Sequence, residues 1–252
     1  MNDEDTALTL SSFGPDGCAV VLGATGGIGG ALADNAGQSP AFARVFRLSR
    51  RPDTRLPDSL AFDLEDEASI EAAAATIRAA ALPVRLVVVA TGILHGPDGL
   101  APEKTWRTLS APTMETVFRL NTIGPALVAK HFLPLLDRNQ KSVFAAISAR
   151  VGSIEDNRLG GWYAYRASKA ALNMLIRTLS IELRRRNPQA LCVGLHPGTV
   201  DTALSEPFQG NVPDGGLFTP ARSARALLSV LDGLDAGDTG QVFAWDGQRI
   251  PF

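Results

Sequence analysis

The chain has 252 residues, 45% of them apolar, with 24 basic against 26 acidic side chains and a net charge of -2. That length and apolar content suit one sizeable core, and the near-neutral balance excludes the basic field that gathers nucleic acid or an anionic membrane. No apolar run is long enough to span a bilayer, and the acidic, polar start lacks the pattern of a secretory signal, so a cytoplasmic location is expected.

Residues 1–16 are expected to form a flexible segment and residues 17–252 a single domain. Short apolar runs suited to buried parallel strands fall at 19–23, 45–49, 60–63, 85–90, 142–148, 190–196 and 241–245, separated by longer helical patterns. Alternation of this kind argues for βαβ units, and hence for a three-layer doubly wound Rossmann fold with a seven-stranded parallel sheet. Ligands in such sheets bind outside the carboxyl ends of the strands, where the strand order reverses.

The first strand runs into Gly23-Ala24-Thr25-Gly26-Gly27-Ile28-Gly29-Gly30, which reads as strand, glycine turn, helix. Glycine suits a tight turn that visits positive φ and lets backbone approach a phosphate, while the helix start offers free N–H groups to an anion. Gly23, Thr25, Gly26, Gly27, Ile28 and Gly29 are the candidate phosphate cradle; the spacing is G-x-x-x-G-x-G rather than G-x-G-x-x-G. The second strand ends at Leu48-Ser49-Arg50-Arg51 with no acid. A carboxylate there would bond a free ribose hydroxyl, whereas a guanidinium matches a 2′-phosphate, so Arg50 and Arg51 favour NADP(H) over NAD(H). Asp63 and Leu64 close the third strand, and Asp63 also reads as an N-cap for the helix expected over 66–80. Ala90-Thr91-Gly92 end the fourth strand, Asn121 opens Asn-Thr-Ile-Gly-Pro on a long helix expected near 112–136, and Pro197-Gly198-Thr199-Val200-Asp201-Thr202 follow the sixth strand.

Tyr165 and Lys169, four apart on a helix expected near 163–185, share one face. An ammonium beside a phenol favours phenolate and lowers the tyrosine pKa towards the range useful for general acid–base work. The arginines Arg184 to Arg186 read as the solvated last turn of that helix, stopped by Asn187-Pro188. Cys18 and Cys192 fall within buried strands, where a thiol is a small core residue. No metal is expected, since His95, His131 and His196 lack partners at ligand spacing, and no serine sits in a G-x-S-x-G elbow.

Taken together, Gly23 to Gly29, Asp63-Leu64, Ala90-Thr91-Gly92, Asn121, Tyr165 with Lys169, and Pro197 to Thr202 resemble, in order and spacing, the short-chain dehydrogenase/reductase family in its single-domain size class. The match runs from about Gly17 to the last residue, and Tyr163 to Met174 and the ending Ala244 to Phe252 look most like C-factor and sniffer-type carbonyl reductases. The resemblance implies Tyr165 as proton donor, Lys169 as the residue that lowers its pKa and bonds the nicotinamide ribose, and Asn121 as the anchor of a proton-relay water. Asp63 would hold the adenine, Pro197, Gly198 and Val200 would grip the nicotinamide, and Thr202 would reach cofactor phosphate or amide. Two departures stand out. The Asn-Asn-Ala-Gly turn is replaced at Ala90-Thr91-Gly92, so that turn must be fixed another way. The catalytic serine, three residues before Gly152, is replaced by Ala149, leaving Ser148 as the candidate and Ser153 as its substitute. The expected activity is hydride transfer between NADP(H) and a small carbonyl or alcohol, with a cofactor-binding regulatory or signalling protein as the alternative. Loops 94–109 and 203–219 would flank an apolar pocket lined by Leu94, Trp106, Phe208, Leu217 and Phe218, the second loop acting as a lid. A homodimer or homotetramer through the two long helices is expected from the resemblance.

Overall fold

The computed structural model describes residues 8–56, 58–96, 99–213 and 215–252. In chain order the elements are β1 (Gly17–Leu22), α1 (Gly27–Gly37), β2 (Phe42–Ser49), β3 (Ser59–Ala61), α2 (Glu67–Ala79), β4 (Val84–Val89), α3 (Ala111–Phe118), α4 (Gly124–Phe132), β5 (Ser142–Ile147), α5 (Tyr163–Arg186), β6 (Ala190–His196), β7 (Thr199–Val200), β8 (Leu217–Phe218), α6 (Pro220–Gly233), β9 (Val242–Ala244) and β10 (Arg249–Ile250). Eight strands form one sheet in the order β10-β9-β6-β5-β4-β1-β2-β3. The order reverses between β1 and β4, which places the ligand crevice of a doubly wound sheet at their carboxyl ends.

The sheet departs from the expected seven parallel strands at its edge. Parallel pairing runs from β3 through to β9, and β10 then returns antiparallel to it, Arg249 opposite Phe243. The turn between them contains Gly247 at φ 81, with the Asp246 carboxylate accepting the Gln248 amide at 3.1 Å. A two-residue strand carries too little periodicity to be read from sequence.

Every residue of β1 and β4 is buried, as central parallel strands covered on both faces require. Alternation divides their side chains between two cores. Val20, Val87, Phe144 and Cys192 pack with α2, α4 and α5, while Val21, Val88, Ala145 and Val193 pack with α1 and α6. Both cysteines are buried free thiols, pushed up to about 12 by burial. Asp66, rather than Asp63, caps α2 by accepting the Ala68 amide. Arg184 to Arg186 close α5 and Asn187 follows as its C-cap.

Flexibility was expected throughout 1–16, of which residues 1–7 lie outside the described residues. The described part is packed instead: Leu10 and Phe13 are 1% and 0% exposed. The reason lies on β4, where the buried Arg85 donates to the carbonyls of Phe13 at 2.8 Å and Pro15 at 2.5 Å and pairs with Asp137 at 3.2 Å. On the other side Ser12 bonds Asp232 at the end of α6.

Candidate active site

The glycine turn after β1 is built as its sequence requires. Gly23 takes φ 88, and a Cβ on Gly29 would stand 2.2 Å from the Gly23 carbonyl oxygen. Gly26, at φ -79 and ψ 160, precedes α1 with no side-chain cap, so the first amides of the helix, Gly27 and Ile28 among them, point out of the turn. Thr25 lies within the turn itself.

Close contacts at four glycines join the predicted segments into one band along the carboxyl edge of the sheet. A Cβ on Gly27 would meet the Thr202 methyl at 2.7 Å, one on Gly23 would meet Ala90 and Thr91 at about 3 Å, and one on Gly92 would meet Asn121 Oδ1 at 3.2 Å and Lys169 Nζ at 3.5 Å. Leu64 packs so tightly on α4 that a Cβ at Gly124 would overlap it. Asp63 accepts the Glu65 amide at 3.0 Å and so shapes the turn after β3. Gly198, at φ 78, turns the chain after Pro197, whose carbonyl accepts the Ser223 hydroxyl, and Val200 is buried in the short β7–β8 pair. Arg50 and Arg51 are exposed at the end of β2, with no ion pair to a described residue.

The expected long helix is interrupted. Arg119–Ile123 form one π-helical turn between α3 and α4, with Asn121 at its centre. Such turns concentrate at functional sites. The turned-in Asn121 amide accepts the Ile93 N–H at 2.8 Å and donates to the Ile93 carbonyl at 2.8 Å, which fixes the turn after β4 that lacks the family's usual asparagine. Its Nδ2 also lies 3.2 Å from Ser168 Oγ, and that hydroxyl donates to the Tyr165 carbonyl. Asn121 therefore ties the end of β4 to the first turn of α5. Ser168, adjacent to Lys169, belongs to this network and its partners were not legible as a spacing.

Tyr165 and Lys169 lie on the buried face of α5, with Lys169 Nζ 5.8 Å from the centre of the Tyr165 ring. The ammonium donates to the Ile147 carbonyl at 2.8 Å. Burial pushes the Tyr165 phenol up to about 12 and the Lys169 ammonium down to about 8. The expected lowering of the tyrosine pKa is thus not met here: desolvation dominates, because the ammonium is turned to a carbonyl oxygen rather than to the phenol.

Ser148 follows Phe144 and Ala146 onto the α5 face of β5, and its hydroxyl donates to Asn173 Oδ1 at 2.7 Å. Asn173 stands eight residues beyond Tyr165, about 12 Å along the helix at the usual rise. Ser148 is thus engaged with Asn173 on α5, in place of a free hydroxyl at the end of β5. Ser153 Oγ accepts the Asp156 amide. The position three before Gly152 carries the Ala149 methyl.

The flanking loops are partly as expected. Phe208 meets the Trp162 ring at 5.0 Å, Trp162 meets Tyr165 at 6.2 Å, and Leu94 is buried. Phe218 instead packs edge-on to Trp245 at 4.7 Å, and Trp106 is 64% exposed beneath Arg107. Residues 97, 98 and 214 of these loops lie outside the described residues. Among the described residues no group of histidine, cysteine or carboxylate side chains has metal-binding geometry, and no helix is long and apolar enough to cross a membrane.

The model of the short chain dehydrogenase family matches residues 17–212, the whole band just described. The chain belongs to the short-chain dehydrogenase family. Its relatives include the C-signal of Myxococcus xanthus, 39% identical over 55% of this chain and 78% of that one. Another is the 1-hydroxy-2-glutathionyl-2-methyl-3-butene dehydrogenase of a Rhodococcus strain, 29% identical over 73% and 76%. Among solved structures, NADPH-bound carbonyl reductase from chicken fatty liver aligns with TM-score 0.81 at 29% identity over 94% of this chain and 95% of that one. The Drosophila melanogaster carbonyl reductase Sniffer, at 23% identity and TM-score 0.79 over 94% and 100%, shares the fold.

This short-chain dehydrogenase is an oxidoreductase of a nicotinamide-using family, and its own residues fit a dinucleotide. The Gly29 cradle has no room for a side chain, and Thr91 Oγ1 is buried beside the glycine turn with no partner among the described residues. A ribose or phosphate oxygen would satisfy it.

Proposed function

We propose that the protein reduces a small-molecule carbonyl compound to an alcohol with NADPH, residues 17–252 acting as one cofactor-binding domain. The observation that carries this reading is the buried Tyr165–Lys169 pair, joined through Ser168 and Asn121 to the end of β4 at the switch point. The α1 amides with Gly23 to Gly29 would hold the pyrophosphate, Arg50 and Arg51 the 2′-phosphate, and Asp63 with Leu64 the adenine end. Ala90, Thr91 and Gly92 would line the ribose path, and Pro197, Gly198, Val200 and Thr202 the nicotinamide end. Bound there, the cofactor supplies hydride.

A phenol pushed up to about 12 keeps its proton at neutral pH, so Tyr165 carries the proton that the carbonyl oxygen would take as it becomes the alcohol. The Lys169 ammonium, within 6 Å of the ring, then stabilises the phenolate left behind. Asn121, bound to both Ile93 backbone groups, keeps the end of β4 in place against Lys169. A cytoplasmic location, with its reduced NADP pool, suits this direction. Exposed Ile123 in the π-helical turn before α4, with Met174 and Ile181 on α5, supports a homodimer or homotetramer through these helices, which sedimentation at micromolar concentration tests: a monomer would remove it.

A second reading is a cofactor-binding regulatory protein with little turnover. Ala149 and the engagement of Ser148 with Asn173 favour it, since the family's serine position carries no hydroxyl and the neighbouring one is already bonded. Fluorescence titration with NADPH and NADH, followed by turnover on a panel of aldehydes, ketones and quinones with Tyr165→Phe as control, separates the two. Turnover abolished in the control supports the reductase; tight NADPH binding without turnover supports the regulator.

A further inference from the structure

The loop between β4 and α3 sends one carboxylate to the foot of the catalytic helix. Glu103 is 6% exposed, and its Oε2 accepts the Ala164 amide at 3.1 Å. Its backbone carbonyl accepts the Trp162 amide at 2.5 Å. Its second oxygen, Oε1, is buried with no partner among the described residues. A carboxylate taken out of water needs compensation, and the positive end of a 24-residue helix supplies it.

A local cap for α5 would need only a serine or aspartate at Trp162. Glu103 reaches the same amide from 61 residues away, and so joins two segments that no local cap could join. Its bonds fall on Trp162 and Ala164, the latter immediately before Tyr165. Trp162 is held at φ 52 and ψ 45, a left-handed backbone uncommon for a bulky side chain, after Gly160 and Gly161 at φ 65 and 66. In that conformation its ring meets Tyr165 at 6.2 Å and Phe208 at 5.0 Å. From the far side His95 meets Phe208 at 5.8 Å, with its Nε2 2.9 Å from the Ala203 carbonyl. Both substrate-side loops therefore converge on the turn that Glu103 holds.

We propose that Glu103 is a positioning residue for Tyr165: it pins the first turn of α5 and the left-handed Trp162 to the loop after β4, and so sets the phenol against the substrate loops. The proposal rests on Tyr165 being the proton donor. Glu103→Ala, Glu103→Asp and Glu103→Gln in the full chain test it. The aspartate is too short to reach the Ala164 amide, while the glutamine keeps an acceptor oxygen there.

The expected result is a kcat lowered about tenfold or more in Glu103→Ala and Glu103→Asp, with the NADPH Kd changed less than about twofold, and most of the kcat restored in Glu103→Gln. An unchanged kcat in Glu103→Asp overturns the proposal, leaving Glu103 a helix cap. So does a Glu103→Gln as impaired as the alanine variant, since charge rather than position would then act. If Glu103→Ala does not fold, the aspartate and glutamine pair decides alone. A wild type without turnover on any carbonyl compound defeats the reductase reading separately. The phenol is then read by ultraviolet titration, which only two tyrosines make legible. A Tyr165 that titrates lower in Glu103→Asp than in wild type and Glu103→Gln supports the pinning, and one unmoved in all three overturns it.

Discussion

Lys169 places its ammonium on the Ile147 carbonyl at 2.8 Å while standing 5.8 Å from the Tyr165 ring centre, and both side chains are buried. The lysine is thus kept where its charge is least comfortable, which is the mark of a functional rather than a stabilising group. Its folded pKa of about 8 lies below the ordinary 10.5. At pH 7 both folded and unfolded chains carry the proton, so the full penalty, about 3 kcal/mol, opposes folding. Between about 8 and 10.5 the unfolded chain binds more protons than the folded one, so stability rises with pH. Lys169→Met should therefore unfold at higher urea than wild type at pH 7, by an advantage that shrinks towards pH 10, while losing turnover. A variant less stable than wild type at pH 7 would contradict the desolvation argument.

Cofactor choice should depend on Arg50 and Arg51. Replacing both by alanine removes one or two charge-assisted bonds to a 2′-phosphate, each worth about 1.5–3 kcal/mol, so NADPH should bind at least about tenfold more weakly. NADH, which lacks that phosphate, should bind as before. Fluorescence titration with both cofactors checks this, and an equal loss for the two would mean that the arginines do not read the phosphate.

Ala149→Ser restores a hydroxyl at the position where the family polarises the carbonyl. A donor aimed at the developing oxyanion is worth about 2.7–4 kcal/mol where it is well placed. We expect kcat to rise by about tenfold or more, with NADPH affinity unaltered. No gain would show that Ala149 does not face the reacting oxygen, and would strengthen the regulatory reading.

The amino-terminal segment is held by a buried charge. Asp137→Ala leaves the Arg85 guanidinium, paired at 3.2 Å, without its carboxylate in a site where both side chains are under a tenth exposed. Breaking such a pair costs about 3–5 kcal/mol. Urea unfolding should show a loss of that order, together with faster proteolysis ahead of Gly17, while NADPH affinity stays near wild type. A loss below about 1 kcal/mol would mean that the segment is held by Leu10 and Phe13 alone.

The sequence by itself determined the parallel sheet, the glycine turn and the Tyr165–Lys169 face, because each is written in local periodicity or fixed spacing. Continuous apolar runs specify strands buried on both sides, a turn tight enough for Gly23 and Gly29 excludes side chains, and a helix puts residues four apart together. Tertiary structure alone decided the rest, where the partner lies far along the chain. Asn121 reaches Ile93 across 28 residues, Glu103 reaches Ala164 across 61, and Arg85 reaches Phe13 across 72. None of these has a local signature, since a lone polar residue in a loop or an arginine in a strand reads the same with or without a distant carbonyl to meet. The same holds for protonation: spacing showed that Lys169 and Tyr165 share a face, but burial, which sets the phenol near 12 and the ammonium near 8, exists only once both sides of the sheet are covered.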